Sequence, residues 1–282
     1  MRLGINLLLW TGHVGEQHRP VLEFLRETGY GLVEIPVMSG AVEHYAELGR
    51  WLDELGLART SSMAFTDPAA DPSSPDPVVR RAAREQMAWQ IDCAAALGAT
   101  KVIGPMVQTL GRRTGAGPTE AELAGAAEVL ADAAERAQAV GVVLAIEALN
   151  RFECHLCNTL AAAQALAARV DHPALGIMVD TFHANIEEKD TPAAIRAAGP
   201  AIRHVHLSES DRGVPGTGQV DFPAVLAALR DIGYDGDLVI EAFGRAVPEL
   251  AAATCVWRDL APSPEELAIR SMEEFCGALS AE

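Results

Sequence analysis

Short apolar and β-branched runs alternate along the chain with longer runs, rich in alanine and leucine, that have helical periodicity. The short runs predict eight strands, at residues 2–8, 31–36, 57–64, 100–104, 142–147, 174–180, 202–207 and 237–242. The longer runs predict eight helices, at residues 17–28, 41–55, 76–97, 117–140, 159–170, 187–198, 221–233 and 263–280. Glycine follows several of these helices, as is typical of helix ends.

The regular alternation of strand and helix predicts how the elements assemble. Strands separated by helices pair in parallel through right-handed crossovers, and eight such units close into a barrel. The predicted fold is therefore α/β, a (β/α)₈ TIM barrel that spans residues 1–282 as a single domain. An open doubly wound sheet is the alternative. Its glycine-rich phosphate turn should follow the first strand, where this chain has Trp10-Thr-Gly-His13 instead.

Composition and charge argue against several classes of protein. No apolar run reaches the ~18 residues of a membrane-spanning helix, so we expect no membrane partner. The start, MRLGINLLLW, lacks a small-residue cleavage site, and we expect a cytoplasmic protein. The formal net charge of −17 repels phosphate backbones, which argues against nucleic acid as a partner.

The cysteines point to a reducing compartment. There are five of them, an odd and scattered set, which does not fit a disulfide framework. Cys154 and Cys157 have CxxC spacing, but no second pair is present to complete a zinc site. A structural role is therefore favoured for this pair.

Four consecutive predicted strands end in a side chain of a type that binds metals: Glu147, Asp180, His206 and Glu241. The carboxyl ends of barrel strands meet at one face, where the active sites of TIM barrels lie. Three carboxylates and one imidazole at that face need a compensating cation, and oxygen-rich ligation suits Mn²⁺, Mg²⁺ or Co²⁺. The alternative is that each residue is an ordinary strand terminus, solvated or bonded to a helix N-terminus.

Two nearby features stay open from the residues alone. His204 lies two residues before His206 and on the same face of the strand, and the terminal position favours His206 as the ligand. The proline-rich segment 67–77 follows the third strand at the predicted catalytic end. Its composition fits a lid and a solvated loop equally well.

Several segments match one family in the same order along the chain. The most specific are Glu147-Ala-Leu-Asn-Arg-Phe-Glu153, Asp180-Thr-Phe-His-Ala-Asn-Ile-Glu-Glu188, His204-Val-His-Leu-Ser-Glu-Ser-Asp-Arg-Gly213, Gly216-Thr-Gly-Gln-Val-Asp-Phe222 and Val239-Ile-Glu-Ala-Phe243. Trp10-Thr-Gly-His13, Leu32-Val-Glu-Ile-Pro36 and Val256-Trp-Arg-Asp-Leu260 extend the match over nearly the whole chain. In these segments the chain resembles the ketose 3-epimerases, that is, the D-tagatose, D-allulose (psicose) and L-ribulose 3-epimerases within the xylose isomerase-like TIM barrels.

The resemblance implies that the four strand-end residues bind a divalent metal, with Mn²⁺ favoured over Co²⁺ and Mg²⁺. It also implies that Glu147 and Glu241 form the acid/base pair, and that three further residues contact the substrate: Glu153, His183 and Arg212. The residues alone leave other roles open for these three. Glu153 could pair with Arg151, His183 could cap a helix, and Arg212 could be a solvated loop cation.

The reaction that the resemblance implies is epimerisation of a ketose, a ketohexose or ketopentose, at C3. It would proceed through a metal-stabilised cis-enediolate with two glutamates as acid and base. A free sugar is favoured over a sugar phosphate, because Arg212 and Gly244-Arg245 are weak evidence for a phosphate site. The resemblance also implies a homodimer or homotetramer. The loop from Gly104 to Gly111 lacks an aromatic residue that several family members place against the sugar tail, so the preferred ketose stays open.

Three alternatives remain. Another isomerase of the same barrel, hydroxypyruvate-isomerase-like or inosose-dehydratase-like, is the nearest, and Asn150-Arg-Phe-Glu153 argues against it. A DNA-repair endonuclease on this barrel would need a basic surface, which the net charge opposes. A non-catalytic sugar-binding protein would be expected to lack Glu147 or Glu241, and both are present.

Overall fold

The computed structural model describes residues 1–279 and is built on a closed barrel. Eight parallel strands pair in chain order, and the last pairs with the first. They are β1 (Arg2–Asn6), β2 (Leu32–Pro36), β3 (Ala58–Ser62), β4 (Lys101–Gly104), β5 (Val143–Glu147), β6 (Leu175–Asp180), β7 (Ile202–Leu207) and β8 (Asp237–Ile240). The predicted (β/α)₈ barrel is confirmed.

Ten α-helices lie within the described chain. They are α1 (Arg19–Thr28), α2 (Val42–Leu55), α3 (Pro77–Leu97), α4 (Glu120–Ala139), α5 (Leu160–Val170), α6 (Thr181–Glu187), α7 (Thr191–Ala198), α8 (Phe222–Asp231), α9 (Pro248–Ala253) and α10 (Pro264–Leu279). Residue 280 of the last predicted helix lies outside the described residues. No described helix combines the length and the apolar character that crossing a bilayer requires.

The predicted helix 187–198 was wrong at its start. Asp180 caps α6 directly after β6, because its Oδ1 accepts a hydrogen bond of 2.7 Å from the backbone N–H of Phe182. The chain leaves helical geometry at Glu188, and Asp190 then caps α7. The short helix α9 was also not predicted, since six residues that begin with a proline carry too little periodicity to be recognised.

Three predicted strands ended two residues too late, namely those observed as β1, β3 and β8. Asn6 ends β1, because its side chain accepts a hydrogen bond of 2.8 Å from the N–H of Leu8 and starts a 3-10 turn at Leu7–Leu9. β8 ends at Ile240, so Glu241 stands one residue beyond the strand. The direction of each side chain is unaffected, and both Asn6 and Glu241 reach the interior at the carboxyl end of the barrel.

The main apolar core fills the space between the strands and the surrounding helices. Inside the barrel a small separate cluster of Ile103, Ala145 and Met178 is followed by buried polar side chains, among them Glu34 and His206. Burial of such groups is unfavourable unless each has a partner. The polar interior therefore marks the region in which the candidate site lies.

Candidate active site

The carboxyl ends of β5 to β8 bring together the four predicted metal ligands. One ligand atom from each lies within 4.8 Å of the others, and all four side chains are buried: Glu147, Asp180, His206 and Glu241. The parallel register explains the proximity, since Asp180 pairs with His206 across β6 and β7. We refer to these residues as the four-ligand cluster. Their role as ligands remains a prediction.

His206 presents one ring nitrogen to this cluster. Its Nε2 lies 2.7 Å from Glu34 Oε1, to which it donates a hydrogen bond. Its Nδ1 lies 3.3 Å from Glu241 Oε1 and 3.6 Å from Asp180 Oδ2, and it has no hydrogen-bond partner among the described residues. A buried nitrogen without a donor or acceptor, facing two carboxylates, fits a divalent cation.

Glu147 is the carboxylate whose protonation is most affected by its surroundings. Burial raises its pKa well above the ordinary value, and the neighbouring charges of Glu241 and Asp180 raise it further. Like charges in a small volume cannot all stay ionised without compensation. The cluster therefore binds either protons or a cation.

Arg212 provides part of that compensation. Its Nη1 lies 3.1 Å from Asp180 Oδ2 and also contacts Glu241 Oε2, while its Cζ lies 4.0 Å from the centre of the Phe182 ring. Burial acts to raise the pKa of Asp180, but Arg212 and the neighbouring histidines together outweigh burial and hold that pKa well below the ordinary value. Arg212 is 6% exposed, so the solvated-cation alternative is wrong.

His183 lies on the first turn of α6, and Asp180, not His183, is the cap of that helix. Its Nδ1 accepts a hydrogen bond of 3.1 Å from the backbone N–H of Asn150, so Nε2 carries the proton. Nε2 lies 3.5 Å from Glu147 Oε1 and 3.0 Å from Arg212 Nη2. Burial lowers the pKa of His183 to about 3, which keeps the ring neutral.

Glu153 lies at the side of the same site. Its Oε1 accepts a hydrogen bond of 2.8 Å from Asn150 Nδ2. The suggested partner, Arg151, instead pairs with Glu187 at 2.8 Å. The ion-pair alternative for Glu153 is therefore wrong, and its carboxylate faces the cavity.

A cavity of about 360 Å³ opens above the cluster. Its polar lining contains Glu147, Glu153, His183, Arg212 and Glu241, five of the seven predicted site residues. Apolar side chains also line the cavity, and we call eight of them the apolar wall: Leu8, Met38, Ile103, Leu110, Phe243, Val247, Leu250 and Ala253. The cavity thus combines hydrogen-bonding groups with apolar surface, as small-molecule sites do.

The segment 67–77 is fastened to the body of the protein. Asp71 and Ser73 are buried, and Arg112 contacts both, at 3.4 Å and 2.9 Å. Within the described chain none of residues 67–77 lines the cavity, although Thr66 does. This placement does not favour a lid.

Cys154 and Cys157 are buried free thiols outside the cavity lining. Burial raises the pKa of Cys154 to about 11 and that of Cys157 further. Thiols of this kind are unreactive, in agreement with the structural role favoured for the pair.

Sequence reasoning missed residues that support the site. Asn150 joins His183 to Glu153, and Glu34 lies beneath His206. A charged residue in the middle of the apolar strand Leu32–Pro36 was the available signal for Glu34. Asn150 was recognised as part of the segment Asn150-Arg-Phe-Glu153, but the segment did not indicate its contacts, because they are distant along the chain or depend on the loop conformation.

Residues 22–273 match the family described as the xylose isomerase-like TIM barrel. A ketose 3-epimerase from Arthrobacter globiformis is 38% identical over 270 residues, which cover 95% of this chain and 93% of that protein. The chain belongs to the ketose 3-epimerases of this barrel family. It is therefore an isomerase, and the resemblance seen in the sequence is confirmed.

Other ketose 3-epimerases support the same assignment. An L-ribulose 3-epimerase from Mesorhizobium japonicum is 34% identical, covering 92% of this chain and 88% of that protein. The structure of an L-ribulose 3-epimerase superposes with a TM-score of 0.91 at 33% identity, covering 98% of this chain and 93% of the other. A D-allulose 3-epimerase from Methylomonas sp. in complex with D-allulose gives 0.91 at 29% identity, covering 98% and 96%.

Proposed function

We propose that the protein epimerises a free ketose at C3 and that the four-ligand cluster holds a divalent metal. The observation that carries the proposal is that Glu147 and Glu241 both line the cavity and both belong to this cluster. The names of the relatives point the same way, since they are 3-epimerases of ketoses, L-ribulose and D-psicose. Mn²⁺ is the favoured metal, with Co²⁺ and Mg²⁺ as alternatives.

The two glutamates have the placement that an acid/base pair needs. Glu147 ends β5 and Glu241 follows β8, so they approach the cavity from positions three strands apart around the barrel. One carboxylate removes the proton from C3, and the other returns a proton to the opposite face. A divalent cation held by the four-ligand cluster would supply Lewis-acid stabilisation of the negative charge that develops on the substrate oxygens.

Three further side chains orient the sugar. The nitrogens His183 Nε2 and Arg212 Nη2 lie 3.0 Å apart, and each carries a hydrogen that it can donate. Two donors this close to each other can both be satisfied by one acceptor oxygen. We propose that this oxygen belongs to the substrate. Glu153, on the side of the cavity, accepts from a substrate hydroxyl, and Asn150 holds its carboxylate in place.

The charges around the cavity favour a free sugar over a sugar phosphate. Arg212 is the only lysine or arginine among the described residues that line the cavity, and it is bound to Asp180 and Glu241. Glu153 and Glu249 add negative charge to the lining. A phosphate group would therefore meet repulsion and no available cation.

The test is a substrate panel. Protein loaded with Mn²⁺ is incubated with free ketohexoses and ketopentoses, and the products are resolved by chromatography. We expect the C3 epimer of at least one ketose, and phosphorylated ketoses should react more slowly than the free sugars. An aldose as the main product would instead indicate isomerisation, and no conversion of any ketose would contradict the proposal.

A further inference from the structure

Glu34, on β2, lies directly beneath the four-ligand cluster and is fully buried. Its Oε1 accepts hydrogen bonds from His206 Nε2 at 2.7 Å and Asn6 Nδ2 at 2.9 Å. Its Oε2 accepts from Thr60 Oγ1 at 2.8 Å. His204 Nε2 lies 2.9 Å from the same oxygen, although not in line for a hydrogen bond.

We propose that Glu34 is a positioning residue for the metal: it fixes the ring of His206 so that Nδ1, and not Nε2, faces the four-ligand cluster. The inference rests on the metal centre of the proposed function. A carboxylate that accepts the N–H of a metal-binding histidine sets which nitrogen is available and limits ring rotation. Here the accepting oxygen is itself held by Asn6, and the other oxygen by Thr60.

Stability alone does not account for a carboxylate at this position. A buried ion pair stabilises a fold little, because desolvation offsets the attraction, and well-packed apolar side chains often serve as well. The neighbouring interior is indeed apolar at Ile103, Ala145 and Met178. Glu34, by contrast, keeps both oxygens bonded and directs one of them to a proposed ligand.

The barrel also offers a matched control at its opposite end. Asp237, at the start of β8, is 6% exposed and pairs with Lys101 at 2.9 Å and Arg2 at 2.7 Å. It resembles Glu34 as a buried carboxylate with several partners, but it does not contact the four-ligand cluster. Its loss should therefore lower stability without changing the metal site.

The experiment measures Mn²⁺ affinity directly, by the electron paramagnetic resonance signal of free Mn²⁺. It compares the parent protein, Glu34→Leu, Glu34→Gln, Thr60→Val and Asp237→Asn, with circular dichroism to verify folding. Glu34→Leu removes the acceptor and should weaken affinity about 10- to 100-fold. Glu34→Gln retains an acceptor oxygen and should recover most of the loss, while Asp237→Asn should match the parent.

Thr60→Val keeps the test decisive if Glu34→Leu does not fold, because it changes no group that touches His206. It frees one oxygen of Glu34 and should weaken Mn²⁺ affinity by about 10-fold or less. Parental affinity in every folded Glu34 and Thr60 variant would overturn the positioning role. So would a loss in Glu34→Gln as large as that in Glu34→Leu. Failure of the parent to bind Mn²⁺ would overturn the metal centre of the proposed function itself.

Discussion

Arg212 Nη1 lies 3.1 Å from Asp180 Oδ2, and both side chains are buried at the carboxyl end of the barrel. The guanidinium also contacts Glu241, but no described lysine or arginine forms an ion pair with Glu147, whose contact is with the neutral His183. One arginine cannot balance three buried carboxylates. This imbalance is the physical reason to expect a tightly held divalent cation.

Removal of the metal should therefore abolish activity. We expect chelator-treated protein to lose turnover with ketoses and to regain it with Mn²⁺ or Co²⁺. The metal should also stabilise the fold, by about 2.7 kcal/mol when free metal is 100 times the dissociation constant. Thermal unfolding with and without Mn²⁺ measures this effect. Full turnover by protein shown to be metal-free by elemental analysis would contradict the prediction.

Glu153→Gln should impair turnover without loss of the metal. Glu153 lines the cavity but does not belong to the four-ligand cluster, so we expect the substitution to weaken only the proposed contact with a substrate hydroxyl. We expect kcat/KM to fall by about 10- to 100-fold, the effect of losing a charged hydrogen bond of about 1.5–3 kcal/mol. Glu249→Gln, which changes an exposed carboxylate of the same cavity, is the control and should retain parental kinetics. Loss of metal from Glu153→Gln would place Glu153 among the ligands.

The sequence predicted the fold and the four-ligand cluster because both follow from local pattern. Each strand is an apolar run, and Glu147, Asp180 and His206 stand at or next to the ends of such runs. Parallel strands of a barrel bring these ends together whatever the loops do. A residue at the end of a predicted strand could therefore be placed at the carboxyl end of the barrel from the sequence alone.

The rest depends on contacts that no local pattern contains. Asn150 contacts His183 of α6, which is 33 residues away in the chain, and Glu34 contacts His206, which is 172 residues away. The apolar wall includes Leu250 of α9, a helix too short to be predicted. Side chains of this kind become visible only when the tertiary fold is known.

Leu250→Ala should change the preference between long and short ketoses. Leu250 belongs to the apolar wall and not to the polar lining proposed to orient C1 to C3, so we expect it to face the distal end of the sugar. A ketohexose reaches further along the cavity than a ketopentose. Its kcat/KM should therefore fall about 10-fold more than that of the ketopentose, which is the size of effect expected when an apolar side chain of a pocket is shortened. Kinetics with one sugar of each length, and with Ile269→Ala outside the cavity as control, measure the ratio. An equal change in kcat/KM for both sugars would show that Leu250 does not discriminate between sugars of different length.

Acid should destabilise the protein partly through Glu122. Its side chain accepts a hydrogen bond of 3.0 Å from Thr119 N–H and forms an ion pair with Arg112 Nη2 at 2.9 Å. Burial acts to raise the pKa of Glu122, but its hydrogen bonds with Thr119 and His155 outweigh burial and lower it to about 2. The carboxylate therefore stabilises the fold in full above its unfolded-state pKa, about 4.3. This contribution is lost as the pH falls from there towards 2.

The measurement is urea unfolding of metal-free protein from pH 6 to pH 3. Glu122→Gln should be less stable than the parent at pH 6, by about 2–3 kcal/mol at most, and the difference should shrink as the pH falls. Glu128→Gln alters an exposed carboxylate of the same helix α4 and should leave the parental pH dependence unchanged. A constant difference between parent and Glu122→Gln over this range would contradict the assignment.

The final prediction concerns proton transfer by Glu147 and Glu241. If one removes the C3 proton and the other returns a proton from solvent, reaction in D₂O should place deuterium at C3 of the epimer. Direct transfer of the substrate's own hydrogen would leave C3 without deuterium and would contradict this route.

Glu147→Gln and Glu241→Gln should each lower kcat by about 10²- to 10⁴-fold, because an amide cannot accept the proton. Both residues also belong to the four-ligand cluster, so elemental analysis must show that each variant contains metal. A metal-loaded Glu147→Gln enzyme with near-parental turnover would exclude Glu147 as the base.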